Sequence, residues 1–346
     1  FGEGALSASL IPVYARLRAT GEKEEAARVA WAVAAALALF TSLLVLLGVL
    51  ATPLLIDLIA PGFTGEKREA TIRLVQIFFP GAGLLVLGAW CLGVLNSHRI
   101  FFLAYVAPVV WSAAIVVSLL YFGREAGGYR LAEWAAWGSV AGSGLQFAVQ
   151  LPVVIPLLGR LRFSSPLLSP HVREVLRNFV PVALSRGVVQ ISAYVDQIIA
   201  SFLPSGSVAA LGYAQVVYTL PVSLFGMAVS AAELPEMSSA VGSHEEIGRA
   251  LRERLGTGLS RIAFFVVPSV AALAALGDVV AALLFQRGRF GHADALFVWA
   301  ILMGSSVGLL AATMGRLYAS AFYALRDTRS PLRFALGRVA LTCGLE

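Results

Sequence analysis

Charge-free apolar runs alternate with short polar stretches along almost the whole chain. Residues 29–56, 74–97, 100–123, 134–159 and 197–232 contain no Asp, Glu, Lys or Arg. Each run reaches the roughly 20 residues with which a helix crosses a bilayer. None leaves a polar face for a water-exposed helix. The pattern predicts an all-α polytopic membrane protein. A helix over 4–18 is followed by spans at 24–59, 69–97, 100–122, 131–159, 171–203, 207–240, 246–285 and 293–325, with another starting after Pro331. Breakers at Ala60-Pro61-Gly62, Gly127-Gly128, Pro204-Ser205-Gly206 and Gly288 separate them. Asp278 interrupts the 246–285 span, whose 262–277 stretch still reaches mid-membrane.

Composition agrees with this pattern. Of the 346 residues, 58% are hydrophobic and 13% charged, too few charges to coat a water-soluble globule of this size. The mean hydropathy is +0.82. Cys91 and Cys343 fall in apolar segments at no metal-ligand spacing, and read as small core residues rather than a disulfide or a zinc site.

The net charge of +6 reads as topology, not as nucleic-acid binding. One set of turns holds Arg16, Arg18, Lys23 and Arg28, then Arg99, then Arg160, Arg162, Arg173 and Arg177. It continues with Arg249, Arg252, Arg254 and Arg261, then Arg326, Arg329, Arg333 and Arg338. The alternate set holds Lys67, Arg68, Arg73, Arg124, Arg130, Arg287 and Arg289. Seventeen basic residues against seven place the first set in the cytoplasm.

A weak internal repeat runs through the chain. Residues 59–63 (IAPGF) end one outward span and 285–290 (FQRGRF) end another; 93–99 (GVLNSHR) and 322–329 (FYALRDTR) occupy matching inward turns. Residues 10–14 (LIPVY) and 233–237 (ELPEM) correspond less closely. The repeated unit has six helices and keeps its orientation. That predicts two pseudo-symmetric six-helix lobes around a central cavity, a build suited to alternating access. The expected division is 1–165 for the N-terminal lobe and 166–346 for an incomplete C-terminal lobe.

Several motifs carry a resemblance: residues 1–13 (FGEGALSASLIPV), 60–63 (APGF), 95–99 (LNSHR), 150–152 (QLP), 191–208, 284–290 (LFQRGRF) and 322–331 (FYALRDTRSP). Together, and in order, they resemble the MurJ (MviN) family, the lipid II flippases of the multidrug/oligosaccharidyl-lipid/polysaccharide exporter superfamily. Members have fourteen helices. The resemblance therefore implies a fragment lacking the first helix, most of the second, and everything after the start of the eleventh. It also implies that the absent first helices bring arginines to a cationic cavity. Many members have an Asp-Arg pair early in the eighth helix, where this chain has Gln215 and Val216.

Charges within spans are the remaining clues. An unpaired cation in hydrocarbon costs about 2.5–3.5 kcal/mol on insertion scales, so Arg186, near the middle of the 171–203 span, predicts a wet pathway or a partner. Its guanidinium could hold a diphosphate bidentately in place of the absent eighth-helix arginine, or stitch helices together. Gln190 and Gln197 share its helical face, a polar stripe suited to a cavity. Asp196 lies off that stripe and is a candidate for a coupling cation or proton, or an ion-pair partner.

Glu233, before Pro235, is a candidate gate or an interfacial helix-end residue. Glu3 lines the cavity or pairs locally. The resemblance places Tyr213, Gln215 and Tyr218 on a cavity-lining stretch. An interfacial aromatic belt explains the two tyrosines equally well.

No Gly-Lys-Ser/Thr phosphate loop and no His-Glu-x-x-His spacing occurs, and the turns are too short for a catalytic domain. The expectation is a non-enzymatic transporter in the bacterial inner membrane, with no cofactor beyond coupling to a monovalent cation or the membrane potential. Its implied partners are lipid II (an undecaprenyl-diphosphate-linked muropeptide), membrane lipids and cell-wall synthesis enzymes. A drug/cation antiporter of the same superfamily and a non-transporting scaffold are the alternatives.

Overall fold

The computed structural model describes residues 2–124, 127–159, 170–227 and 244–324, with single positions at 229, 330, 333, 334 and 337; the side chains of 2–8, 180–193, 227, 244–247, 250, 320, 323 and 324 lie outside that description. Its elements are α1 (Gly2–Ala19), α2 (Lys23–Ile59), α3 (Gly65–Ser97), α4 (Phe101–Phe122), α5 (Tyr129–Leu158), α6 (Pro170–Phe202), α7 (Ser207–Pro221), a π-helical turn (Val222–Met227), α8 (His244–Phe285) and α9 (His292–Ala324). Among the described residues all regular structure is helical, and seven helices are long and apolar enough to span a membrane. The hydropathy pattern thus located the helices to within a few residues. The span expected at 207–240 is helical from Ser207 and changes from α to a π-turn after Pro221; positions 230–243, with its far end, lie outside the described residues. Proline has no N–H to donate to the preceding turn, so the backbone ladder must change there.

The chain divides into two compact units, Phe1–Tyr194 and Val195–Glu346, with the division inside α6. The expected boundary at 165/166 lies outside the described residues.

In the first unit, α1 presents Leu10, Val13, Tyr14 and Leu17 at helical spacing to Val29, Ala30 and Val33 of α2 and to Trp90, Val94 and Leu95 of α3. The opposite face of α2 stays bare: Leu39, Leu43, Leu46, Leu50 and Leu54 are exposed, Leu39 by 76%. Such a stripe would be an aggregation liability in water and is the surface a lipid-facing helix needs. In the second unit, Ala210, Ala214 and Val217 of α7 pack with Ile262 and Val266 of α8 and Val298, Leu302 and Leu309 of α9.

Where no water reaches, polar groups are satisfied by the helices themselves. The hydroxyls of Thr41, Thr52, Ser143 and Thr313 donate to the carbonyls of Leu37, Gly48, Ser139 and Leu309, each four residues back. Three indole N–H groups cross between neighbours: Trp90 donates to Ala30 O (3.0 Å), Trp111 to Ser139 O (3.1 Å) and Trp299 to Ala274 O (3.0 Å). These bonds join α2 to α3, α4 to α5 and α8 to α9.

α4 and α5 approach closely at Gly138 and Gly142. A Cβ at Gly138 would lie 2.6 Å from Ser118 Cβ, and one at Gly142 would lie 2.7 Å from the Trp111 carbonyl oxygen. This is the small-xxx-small spacing by which membrane helices bring their backbones together. Gly226 plays a similar part in the π-turn, where a Cβ would lie 2.5 Å from Thr313 Cγ2 of α9.

Ionic contacts gather at the helix ends. Arg68 grips Asp57 with two nitrogens, Nε to Oδ1 at 2.7 Å and NH2 to Oδ2 at 2.9 Å, closing the corner between α2 and α3. Lys67 lies over the Phe63 ring at 3.7 Å in the same corner. Arg16 of α1 reaches Glu174 of α6 at 2.7 Å.

At the turn after α3, His98 Nε2 lies 2.9 Å from the Tyr14 hydroxyl, while Arg18 donates to the Ser97 carbonyl at 2.9 Å. Burial, and secondarily the Arg18 charge, hold the His98 pKa below its ordinary 6.5. Neutral His98 can accept from Tyr14 through Nε2, whereas its protonated form can only donate. A depressed folded pKa contributes stability that is full above about pH 6.5 and is lost as the pH falls through the folded value. The Tm of the full-length protein is therefore expected to drop on acidification from pH 7.5 to 5.5. His98→Gln should remove part of that slope; an unchanged slope would refute the assignment.

Candidate transport site

The residues singled out by charge and polarity lie on α1, α6, α7 and the stretch beyond the π-turn. Glu3 is on α1, and Arg186 and Gln190 are on α6; all three side chains lie outside the description. Glu233 lies outside the described residues. Asp196 and Gln197, adjacent on the last turns of α6, are both exposed.

On α7 the geometry is more specific. Ala210, Ala214 and Val217 turn into the core, so Gln215 and Thr219 fall on the opposite, exposed face. Thr219 Oγ1 donates to the Gln215 carbonyl at 2.7 Å, and Gln215 Nε2 approaches Thr219 Oγ1 at 3.4 Å. This leaves an exposed amide and hydroxyl able to bond a polar ligand. Tyr218 packs against the core of the second unit.

Tyr213 enters an aromatic cluster with Phe285 and Phe290, at ring-centroid distances of 4.8 Å and 5.3 Å. The cluster ties α7 to the FQRGRF turn after α8. The sequence shows the turn motif but not this grouping, which only tertiary packing brings together.

A second missed feature is a buried polar stripe on α5. Ser139, Ser143, Gln146 and Gln150 recur at helical spacing and are all buried. Gly88 of α3 faces it: a Cβ there would lie 3.6 Å from Gln146 Nε2 and 4.0 Å from Gln150 Nε2. Gln150 Nε2 donates to the Gln146 carbonyl at 3.2 Å. The side-chain oxygens of both glutamines have no hydrogen-bond partner among the described residues. The signal was present in the sequence as evenly spaced polar residues within an uncharged span. Among the described residues, no three His, Cys, Asp or Glu side chains gather as metal ligands would.

Long lipid-facing helices with ionic contacts gathered at their ends define a multi-pass membrane protein. The family model "Lipid II flippase MurJ" matches residues 1–346. The chain belongs to the MurJ family. It is 32% identical to "Probable lipid II flippase MurJ" of Rhizobium tropici, over all of this chain and 65% of that protein. It is 28% identical to "Lipid II flippase MurJ" of Burkholderia cenocepacia, over 98% of this chain and 66% of that one. The chain thus spans just under two thirds of these relatives.

Among solved structures it is similar to "Lipid II flippase MurJ, inward closed conformation", with a TM-score of 0.79 and 25% identity over 97% of this chain and 68% of that one. An inward-facing multidrug resistance MATE family transporter shares the fold, with a TM-score of 0.76 at 18% identity over 98% of this chain and 77% of that one.

Proposed function

We propose that the protein containing this chain flips lipid II from the cytoplasmic to the outer leaflet of the bacterial inner membrane. The observation that carries this reading is the family match along every residue of the chain. The chemistry supports it. A diphosphate-linked sugar cannot enter hydrocarbon unaccompanied, because its charges would lose their hydration without compensation. It needs a polar route whose cations replace water.

Arg186, on α6, supplies a guanidinium for that role, and Gln197, Gln215 and Thr219 add neutral hydrogen-bonding groups. Glu3, Gln190, Tyr213 and Tyr218 complete the proposed substrate-facing set, with Glu233 at the inner gate. The polyprenyl tail would stay in lipid while the head group crosses. Alternating access, by rocking of the two lobes, would then expose the head group outside. Asp196 supplies a carboxylate through which a monovalent cation could couple to transport. No step breaks a covalent bond, so the protein acts as a transporter and not as an enzyme. Cell-wall synthesis enzymes are its natural neighbours.

The antiporter alternative draws on the shared MATE fold. The scaffold alternative draws on Gln215 and Val216 standing where an Asp-Arg pair is expected. The test is expression of the full-length gene in a bacterium depleted of its own lipid II flippase. Restored growth together with lipid II labelled from the outer face is the expected result. No restoration by an inserted, stable protein would overturn it.

A further inference from the structure

At one end of α5 an open groove of about 450 Å³ is lined by Arg130, Glu133, Trp134 and Trp137. The lining is neither uniformly apolar nor uniformly charged, and its parts are already partly committed. Glu133 is held by Arg73 at 3.3 Å, so its negative charge is offset. Trp134 is fixed by stacking on Phe122, with centroids 4.5 Å apart and planes at 14°. Trp137 is 55% exposed. Arg130 is exposed and makes no ion pair among the described residues.

Depth in the membrane identifies the ligand class. α5 has 30 residues, which at 1.5 Å per residue gives a length of about 45 Å. That matches the full bilayer including its polar headgroup layers, about 40–45 Å. With α5 crossing the bilayer end to end, Arg130 on its first turn would sit at phosphate depth. Trp134 and Trp137 lie about 6 and 10 Å further in, at the boundary with the acyl chains. The distribution of basic residues assigns this end to the outer face.

We propose that this groove is a binding site for the headgroup of an anionic glycerophospholipid of the outer leaflet. The Arg130 guanidinium would take the phosphodiester through paired N–H donors. The indoles would line the glycerol region with an apolar face and a polar edge. The Arg73 ion pair offsets Glu133, the one carboxylate of the lining, so that it does not repel the phosphate. The site lies wholly in the first unit and is independent of the flippase assignment, since a phospholipid anchor would serve any of the transporter readings.

The test uses native mass spectrometry of the full-length protein incubated with phosphatidylglycerol or phosphatidylcholine. Wild-type protein should retain phosphatidylglycerol preferentially. Arg130→Gln should cut that retention about fivefold while leaving phosphatidylcholine unchanged. Arg130→Lys should retain part of the preference, and Arg124→Gln, a nearby exposed arginine outside the groove lining, all of it. Trp137→Ala should weaken retention of both lipids. Equal retention of the two lipids by wild type, or indifference to Arg130→Gln, would overturn the site. Displacement of phosphatidylglycerol by millimolar inorganic phosphate would assign it to free phosphate instead.

Discussion

Gly142→Val is expected to be among the most destabilising single substitutions in the first unit. The valine Cβ would stand 2.7 Å from the Trp111 carbonyl oxygen and 3.1 Å from Ala114 Cβ. The nearest obstacle is backbone, so no rotamer change relieves it, and α4 and α5 must move apart. Separation would also stretch the Trp111 bond to Ser139, whose indole N–H then has no water to turn to. Overpacking of a close interface costs about 1–3 kcal/mol, and a lost buried hydrogen bond adds to that. A fall in Tm of about 5 °C or more is expected for the detergent-purified full-length protein.

The control lies on the same helix. A Cβ at Gly144 meets only Leu84 Cδ1 at 3.9 Å, ordinary contact. Gly144→Ala should hold its Tm or raise it slightly through helix propensity. Equal Tm values for Gly142→Val and wild type would mean that this helix pair does not depend on close approach.

That contrast shows where sequence reading reaches and where it stops. The spans were legible because bilayer thickness imposes a minimum length on charge-free runs. The Gly138–Gly142 spacing was also readable, yet spacing alone does not separate Gly142, which meets a backbone carbonyl, from Gly144, which meets open contact. The distinction belongs to α4, which approaches from elsewhere in the chain.

The π-turn after Pro221 is a similar case. A proline inside a span predicts a disturbance, but the form it takes depends on Gly226 admitting Thr313 from α9. Of the candidate site, Gln215 was singled out through the family resemblance, and its pairing with Thr219 on the exposed face of α7 is visible only in the structure. The same holds for the partners of Tyr213, because Phe285 and Phe290 reach it only through tertiary packing. Nor was the α5 stripe recognised: Ser and Gln carry no charge, so a search keyed to charged residues passes over them.

Arg186→Ala is expected to have the largest effect on transport. Arg186 lies within a membrane-length helix, about fifteen residues beyond the start of α6. At membrane depth a cation is unfavourable by several kcal/mol unless water or a counter-charge compensates, and the polar residues Gln190, Asp196 and Gln197 on the same helix suit a hydrated path. If the counter-charge is the substrate diphosphate, truncation removes a charge-assisted contact of about 1.5–3 kcal/mol, equivalent to at least a tenfold loss in lipid II exposure. Lysine keeps the charge but not the paired N–H donors, so Arg186→Lys should fall between wild type and alanine.

A purely structural arginine predicts a different outcome. Alanine would then lower the Tm and the amount of inserted protein, while the transport rate per inserted molecule stayed at the wild-type level. Measuring lipid II exposure per inserted molecule, beside the Tm of each variant, separates the two. Full exposure per molecule in Arg186→Ala would remove the cation from the transport path and leave the neutral groups on α6 and α7 to carry the substrate.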